Sequence, residues 1–241
     1  MLELNDIQGI IFDYGGTIDS NGKHWAEVLW ESYKDKKVPV SKEQFREAYV
    51  YGERYLATNS VIKPEHNFHD LLRIKVDLQV EYLISKEYLP AGSNSSGYAF
   101  AISDQCYNFV RNMISAEKTI LNQLHEEYPM VLVSNFYGNI HAVLKDFELL
   151  DCFDEIIESA VVGLRKPDPA IFGLGVKQLG FPAPNIVVVG DSYAKDIVPA
   201  TKIGCKTVWL KGLGWEKDDD NATADVIITD FMELKDVFHL V

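Results

Sequence analysis

The chain is poor in cysteine and in positive charge, and it has no long apolar run. Its three cysteines, Cys106, Cys152 and Cys205, are odd in number and scattered, with no CxxC spacing. That excludes a disulfide framework and argues against a thiolate metal site, so they are expected to be reduced packing residues. Lys and Arg number 23 against 36 Asp and Glu, a formal charge of −13. Nucleic-acid binding relies on basic side chains, and this balance argues against such a partner. No apolar stretch nears the ~20 residues that span a bilayer, and no membrane partner is expected. The opening MLELNDIQG shows neither a basic n-region nor an apolar h-region, so a cytoplasmic protein is expected. No internal repeat is present.

What the chain does have is core material: 47% of its 241 residues are hydrophobic and 12% aromatic. Short apolar runs recur at 7–14, 129–134, 155–158, 185–190, 205–210 and 225–229, the texture of strands covered on both faces. Helical patterns lie between the later runs, at 138–149, 168–179 and 194–203. Asp168-Pro169 reads as a helix start, and Gly180 and Gly204 as helix stops. Strand–helix alternation of this kind implies βαβ units and a parallel sheet. The fold class expected is α/β, a Rossmann-like parallel core.

Residues 21–115 break the rhythm. They read as helices over 24–36, 42–58 (opened by the capping box Ser41…Gln44), 67–86 and 101–126, with AGSNSSG at 91–97 as a flexible turn. A helical block inserted after the first strand is expected to be a cap domain over 21–115, with the core formed by 1–20 and 116–241. Its abundant aromatic residues are explained by helix packing. The acidic balance does not exclude a small phosphorylated ligand, which needs only a local cluster of donors and a metal, and oligomeric state is not legible.

Open parallel sheets bind ligands beyond the carboxyl ends of their strands. The first strand ends in Asp13, within DYGGT; the second ends in Ser134-Asn135; the fourth ends in Gly190-Asp191-Ser192. Arg165-Lys166-Pro167 follows the third. Two carboxylates, a hydroxyl and a lysine thus share one rim. Together these residues resemble the haloacid dehalogenase-like hydrolases with a helical cap of the first type. DYGGT stands for that family's D-x-D-G-T, VLVSN for its Ser/Thr strand end, GLRKPDPAIF for its lysine, and GDSYAKD for its G-D-S-x-x-x-D.

The resemblance implies a Mg²⁺-dependent phosphatase of a small phosphorylated metabolite. Asp13 would be the nucleophile, forming an aspartyl-phosphate, with Lys166 neutralising charge beside it. Ser134, Asn135 and Lys166 would hold the phosphate. Asp13, Asp191 and the backbone carbonyl of Gly15 would bind the metal, with Asp196 either an outer contact or a residue that orients its loop. The departure is Gly15, where the family's phosphatases carry a second aspartate that protonates the leaving group. General acid–base help is worth ~10²–10⁴ in rate. Three routes stay open: a substrate with a good leaving group, a substitute acid, or a site that binds phosphate without turnover. Asp19 and His24 lie nearby; Asp19 is read first as a turn residue and His24 as a surface helix start. A metal-independent 2-haloacid dehalogenase is a further alternative, requiring a cap arginine for halide, with Arg46, Arg54 and Arg73 as candidates. A phosphonatase would need a cap lysine that no motif singles out.

Overall fold

The computed structural model describes residues 4, 6–212 and 222–240. Among them, six strands form one parallel sheet: β1 (Gly9–Phe12), β2 (Met130–Ser134), β3 (Glu155–Glu158), β4 (Ile186–Gly190), β5 (Lys206–Leu210) and β6 (Val226–Ile228), ordered β3-β2-β1-β4-β5-β6. Each falls within a run read from the sequence. The order reverses at β1, which pairs with β2 on one side and β4 on the other. That reversal opens the crevice in which doubly wound sheets bind their ligands.

Successive side chains along a strand point to opposite faces, and both faces here are covered. Ile10, Phe12, Met130, Leu132, Val187 and Val189 join one core, while Ile11, Val131, Val133, Ile186 and Val188 join the other. Continuous apolar strands are the direct consequence.

The cap comprises α1 (Trp25–Asp35), α2 (Lys42–Thr58), α3 (Phe68–Ser85) and the 33-residue α4 (Ser95–Glu127). The capping box at Ser41 forms with Gln44 as expected. The turn expected over 91–97 ends earlier than the composition suggests. Asn94 accepts the Gly97 N–H at 2.9 Å, so the helix begins at Ser95 rather than 101. α4 also runs unbroken through residues 115 and 116. Its first half meets α1, where Cys106 contacts Ser32 and Gln105 bonds Asp35. Its second half meets the core, where Lys118 bonds Glu148 and Cys152 bonds Asn122. The helix itself therefore joins the two parts there.

The remaining helices are α5 (Ile140–Asp146), α6 (Ser159–Val162), α7 (Ala170–Leu179), α8 (Val198–Lys202) and α9 (Leu234–Val237). α7 starts at Ala170, whose N–H donates to the Asp168 carboxylate at 2.9 Å, and Gly180 ends it with φ of 74°. The helix expected over 194–203 is divided. A π-helical turn, Tyr193–Ile197, leads into α8, where Pro199 lacks the N–H that would continue a regular ladder. No described helix is long and apolar enough to cross a membrane.

Candidate active site

The end of β1 delivers Asp13 into the crevice, its N–H bonded to the Val189 carbonyl at 3.0 Å. Its carboxylate is only 4% exposed and has two partners: Lys166 Nζ donates to Oδ1 at 2.5 Å, and Thr17 Oγ1 donates to Oδ2 at 3.1 Å. Lys166 Nζ also donates to Asp196 Oδ1 at 2.7 Å. Burial works against the ammonium charge, but Asp13 and Asp196 outweigh it and hold Lys166 above its ordinary value. Burial also raises Asp13, against the pull of Lys166. Asp191, half-buried at the end of β4, is raised well above its ordinary value by burial and then by the charges of Asp13 and Asp196.

Oxygens of Asp13, Asp191 and Asp196 lie within 4.8 Å of one another. Three carboxylates thus face one ammonium, and desolvation makes that excess of negative charge costly unless a cation joins it. Oxygen ligands of this kind suit Mg²⁺. The donor set fits the ion that the motif implies.

The supporting geometry is close. Gly16 takes φ of 98°, and a Cβ on it would meet the Asp191 carboxylate at 2.4 Å, so only glycine lets the two loops approach. Thr17, which the sequence reading did not single out, accepts the Asp191 N–H at 3.0 Å while donating to Asp13. Trp209 Nε1 donates to the Asp191 carbonyl at 2.8 Å. Asp196 accepts from Lys166 and, through Oδ2, from the Ser192 N–H at 3.0 Å, so it orients both the lysine and its own loop. Ser134 is buried at the tip of β2 and lines the cavity. Asn135 also lines it, and its amide brackets the Lys166 backbone, donating to the carbonyl at 3.0 Å and accepting the N–H at 2.9 Å. The Lys166–Pro167 peptide is cis.

Gly15 is exposed to this space, and of the Gly15-Gly16 pair only Gly16 takes a positive φ. Asp19 does lie in the turn over residues 15–20, but its side chain is buried rather than solvated. It is 1% exposed, and its carboxylate accepts from Gly16 N–H at 2.7 Å, Ser20 Oγ at 3.0 Å and Trp25 Nε1 at 2.7 Å. Burial pushes it up to about 7 despite those donors. His24 does start α1, its Nδ1 accepting the Ala26 N–H at 3.1 Å. It lines the cavity rather than the outer surface, however, and burial followed by the charge of Lys195 lowers it to about 4, which leaves the ring neutral.

The cavity between cap and rim measures about 650 Å³. Its cap side carries Trp25, Tyr49, Glu53 and Lys75 as well as His24, opposite Tyr137 of the core. Lys75 pairs with Glu53 at 2.7 Å, and Tyr137 Oη donates to Glu53 at 2.7 Å. The Lys75–Glu53–Tyr137 group comes from two cap helices and the segment after β2, and no linear spacing announces it. The arginines considered for halide lie elsewhere. Arg46 and Arg54 line a second groove beside Tyr51 and Tyr82, and Arg73 lies over the Phe100 ring at 5.6 Å. Among the described residues, the arginine that lines the cavity is Arg165, of the core.

A sheet of this topology, with a lysine-paired aspartate at the end of its switch-point strand and two more acids beside it, defines an α/β protein whose candidate active centre lies at its strand ends. A family model described as haloacid dehalogenase-like hydrolase matches residues 7–204, and the chain belongs to that family. A glyceraldehyde 3-phosphate phosphatase of Pyrococcus furiosus is 30% identical over 176 residues, 71% of this chain and 68% of the relative. An (S)-2-haloacid dehalogenase of Pseudomonas putida is 28% identical over 107 residues, 44% of this chain and 47% of the relative. Among solved structures, the HAD-hydrolase YfnB of Bacillus subtilis, bound to magnesium, superposes with a TM-score of 0.61. It covers 98% of this chain and 100% of its own at 16% identity, a likeness of fold.

Proposed function

We propose that the chain is a Mg²⁺-dependent phosphatase of a small phosphorylated metabolite, acting in the cytoplasm through an aspartyl-phosphate on Asp13. The observation that carries this reading is the cluster of Asp13, Asp191 and Asp196, the first and last buried and paired with a single Lys166 and Asp191 half-buried beside them. Asp13, Asp191 and the Gly15 carbonyl would hold the ion. When bound, Mg²⁺ supplies positive charge to phosphate oxygens and to the nucleophile's carboxylate. Lys166 holds Asp13 in place and neutralises charge that builds up as phosphorus is transferred. Ser134 offers a hydroxyl to a phosphate oxygen, and Asn135 fixes the lysine's backbone. The similarity to a glyceraldehyde 3-phosphate phosphatase supports a small phosphate ester as substrate. All three cysteines are free and buried, which suits a reducing compartment.

The dehalogenase reading is less well supported, because none of the three candidate cap arginines is among the residues that line the cavity. The test is phosphate release from acetyl phosphate, glyceraldehyde 3-phosphate, glycerol 3-phosphate and p-nitrophenyl phosphate, with Mg²⁺ or with EDTA. Chloride release from 2-chloropropionate is followed in parallel. Phosphate release is expected with Mg²⁺ and should fall by at least ~10²-fold in EDTA. Chloride release in EDTA would establish the dehalogenase instead. Phosphate binding without release from any ester would establish a silent binding protein.

A further inference from the structure

We propose that Asp19 is the catalytic acid and base of this site, relocated from the position that Gly15 leaves bare. The inference rests on the phosphatase reading. Cleaving an alkyl phosphate expels an alkoxide, which needs a proton as the P–O bond breaks. Most acidic groups at the rim are already committed. Asp13 is the attacking group and is tied to Lys166 and Thr17. Asp196 spends its two oxygens on Lys166 and the Ser192 N–H. Asp191 faces the cation position, and His24 uses Nδ1 to start α1.

Asp19 differs in that its printed donors, the Gly16 N–H, Ser20 Oγ and Trp25 Nε1, are all neutral rather than the Lys166 ammonium, and its placement is specific. A Cβ on Gly15 would stand 3.9 Å from Asp19 Oδ2 and, chain neighbours aside, would touch nothing else within 4 Å. A side chain at 15 and the carboxyl of Asp19 would therefore be in van der Waals contact at the rim. Gly15 does not need to be glycine for its own backbone, because the positive φ is at Gly16. With no side chain of its own, Gly15 places nothing between Asp19 and the cavity, which both residues line. The carboxyl is also held still: Gly16 N–H and Ser20 Oγ fix Oδ1, and Trp25 Nε1 fixes Oδ2. Trp25 is the first residue of α1, so the cap itself sets the acid in position.

The chemistry balances in two steps. Asp13 attacks phosphorus, the P–O bond to the leaving group breaks with its electron pair on oxygen, and the Asp19 proton goes to that oxygen to give the alcohol. A water then attacks the phosphoryl group as its proton passes to the Asp19 carboxylate. The Asp13–phosphorus bond breaks, and phosphate leaves with Asp19 again protonated.

The test is leaving-group release in single turnovers, with enzyme in excess and Mg²⁺ present, which reads the first step alone. The substrates are p-nitrophenyl phosphate, whose leaving group needs no proton, and the alkyl esters named above. Asp19→Asn is expected to slow alkyl esters by ~10²–10⁴-fold and the p-nitrophenyl ester by less than ~10-fold. The double variant Gly15→Asp/Asp19→Asn, which moves the carboxyl across the same space, is expected to recover at least ~10-fold on alkyl esters. Trp25→Phe keeps a ring but removes the donor to Oδ2, and is expected to give the same selective loss in smaller measure. Equal loss on both substrate types, no loss on either, or no recovery in the double variant would overturn the proposal. So would a wild type that cleaves only the p-nitrophenyl ester. A wild type silent on every ester would overturn the phosphatase reading as well.

Discussion

Asparagine at position 13 is expected to leave a folded protein without turnover, with phosphate release falling on the order of 10⁴-fold or more. The amide keeps the shape of the carboxylate, and its carbonyl oxygen can still accept from Lys166 or Thr17. What it loses is the nucleophile's charge. Removing Asp13 also does not strand Lys166, which retains Asp196 at 2.7 Å. The buried set then holds two carboxylates to one ammonium rather than three. In EDTA, chemical denaturation is therefore expected to find this variant at least as stable as wild type. Lys166→Met makes the opposite change. It strands Asp13 and Asp196, both nearly fully buried, with no cation between them. Breaking a buried pair by removing one partner costs about 3–5 kcal/mol, and that loss is expected in EDTA. Added Mg²⁺ should restore part of it, since the ion binds only the folded arrangement of acids. Equal stability losses in the two variants would contradict the charge imbalance on which the metal assignment stands.

The strand ends were legible because a parallel sheet collects them without further instruction. Once β1, β2 and β4 are recognised as buried strands, Asp13, Ser134 and Asp191 must share a rim. Lys166 follows from its place after β3. Asp19 was not legible in the same way. Read along the chain, it is a polar residue in a Gly-rich turn. Only the fold of that turn carries its carboxylate back to the Gly16 N–H, and only the cap brings Trp25 down upon it. Trp25 itself was hidden among aromatic residues that do pack helices, as Tyr33 and Phe45 do at 4.9 Å between ring centres. The Lys75–Glu53–Tyr137 group needs two cap helices and the segment after β2 to meet, a contact that no spacing encodes. The start of α4 was missed for a local reason, since a Gly/Ser/Asn cluster reads as a loop until one of its residues is seen to cap a helix.

Glu117 carries the second large effect. It lies on the buried face of α4 with Ile114, Ile120, Leu121 and Leu124, only 1% exposed, and neither carboxylate oxygen has a hydrogen-bond partner among the described residues. Burial, and then the nearby charges of Asp19 and Asp230, push it up to about 9 from an ordinary 4.5. The charge of Glu117 also acts on buried Tyr14, whose hydroxyl is likewise without a partner among the described residues. In the unfolded chain Glu117 ionises near its ordinary value, whereas in the folded protein it keeps its proton until much higher pH. Between those limits the folded state binds more protons than the unfolded one. Stability from this group is thus fully present below about pH 4.5 and declines as pH rises toward 9, by up to ~1.4 kcal/mol per unit. Leucine at 117 removes the ionisable group while filling similar space. At pH 7 the variant is expected to be more stable than wild type by on the order of 3 kcal/mol, the part of that decline already incurred. Denaturant midpoints from pH 5 to 8 would show the difference between the two proteins widening with pH. A constant or shrinking difference would mean that the folded protein holds the Glu117 carboxylate charged, paired with a group that satisfies it.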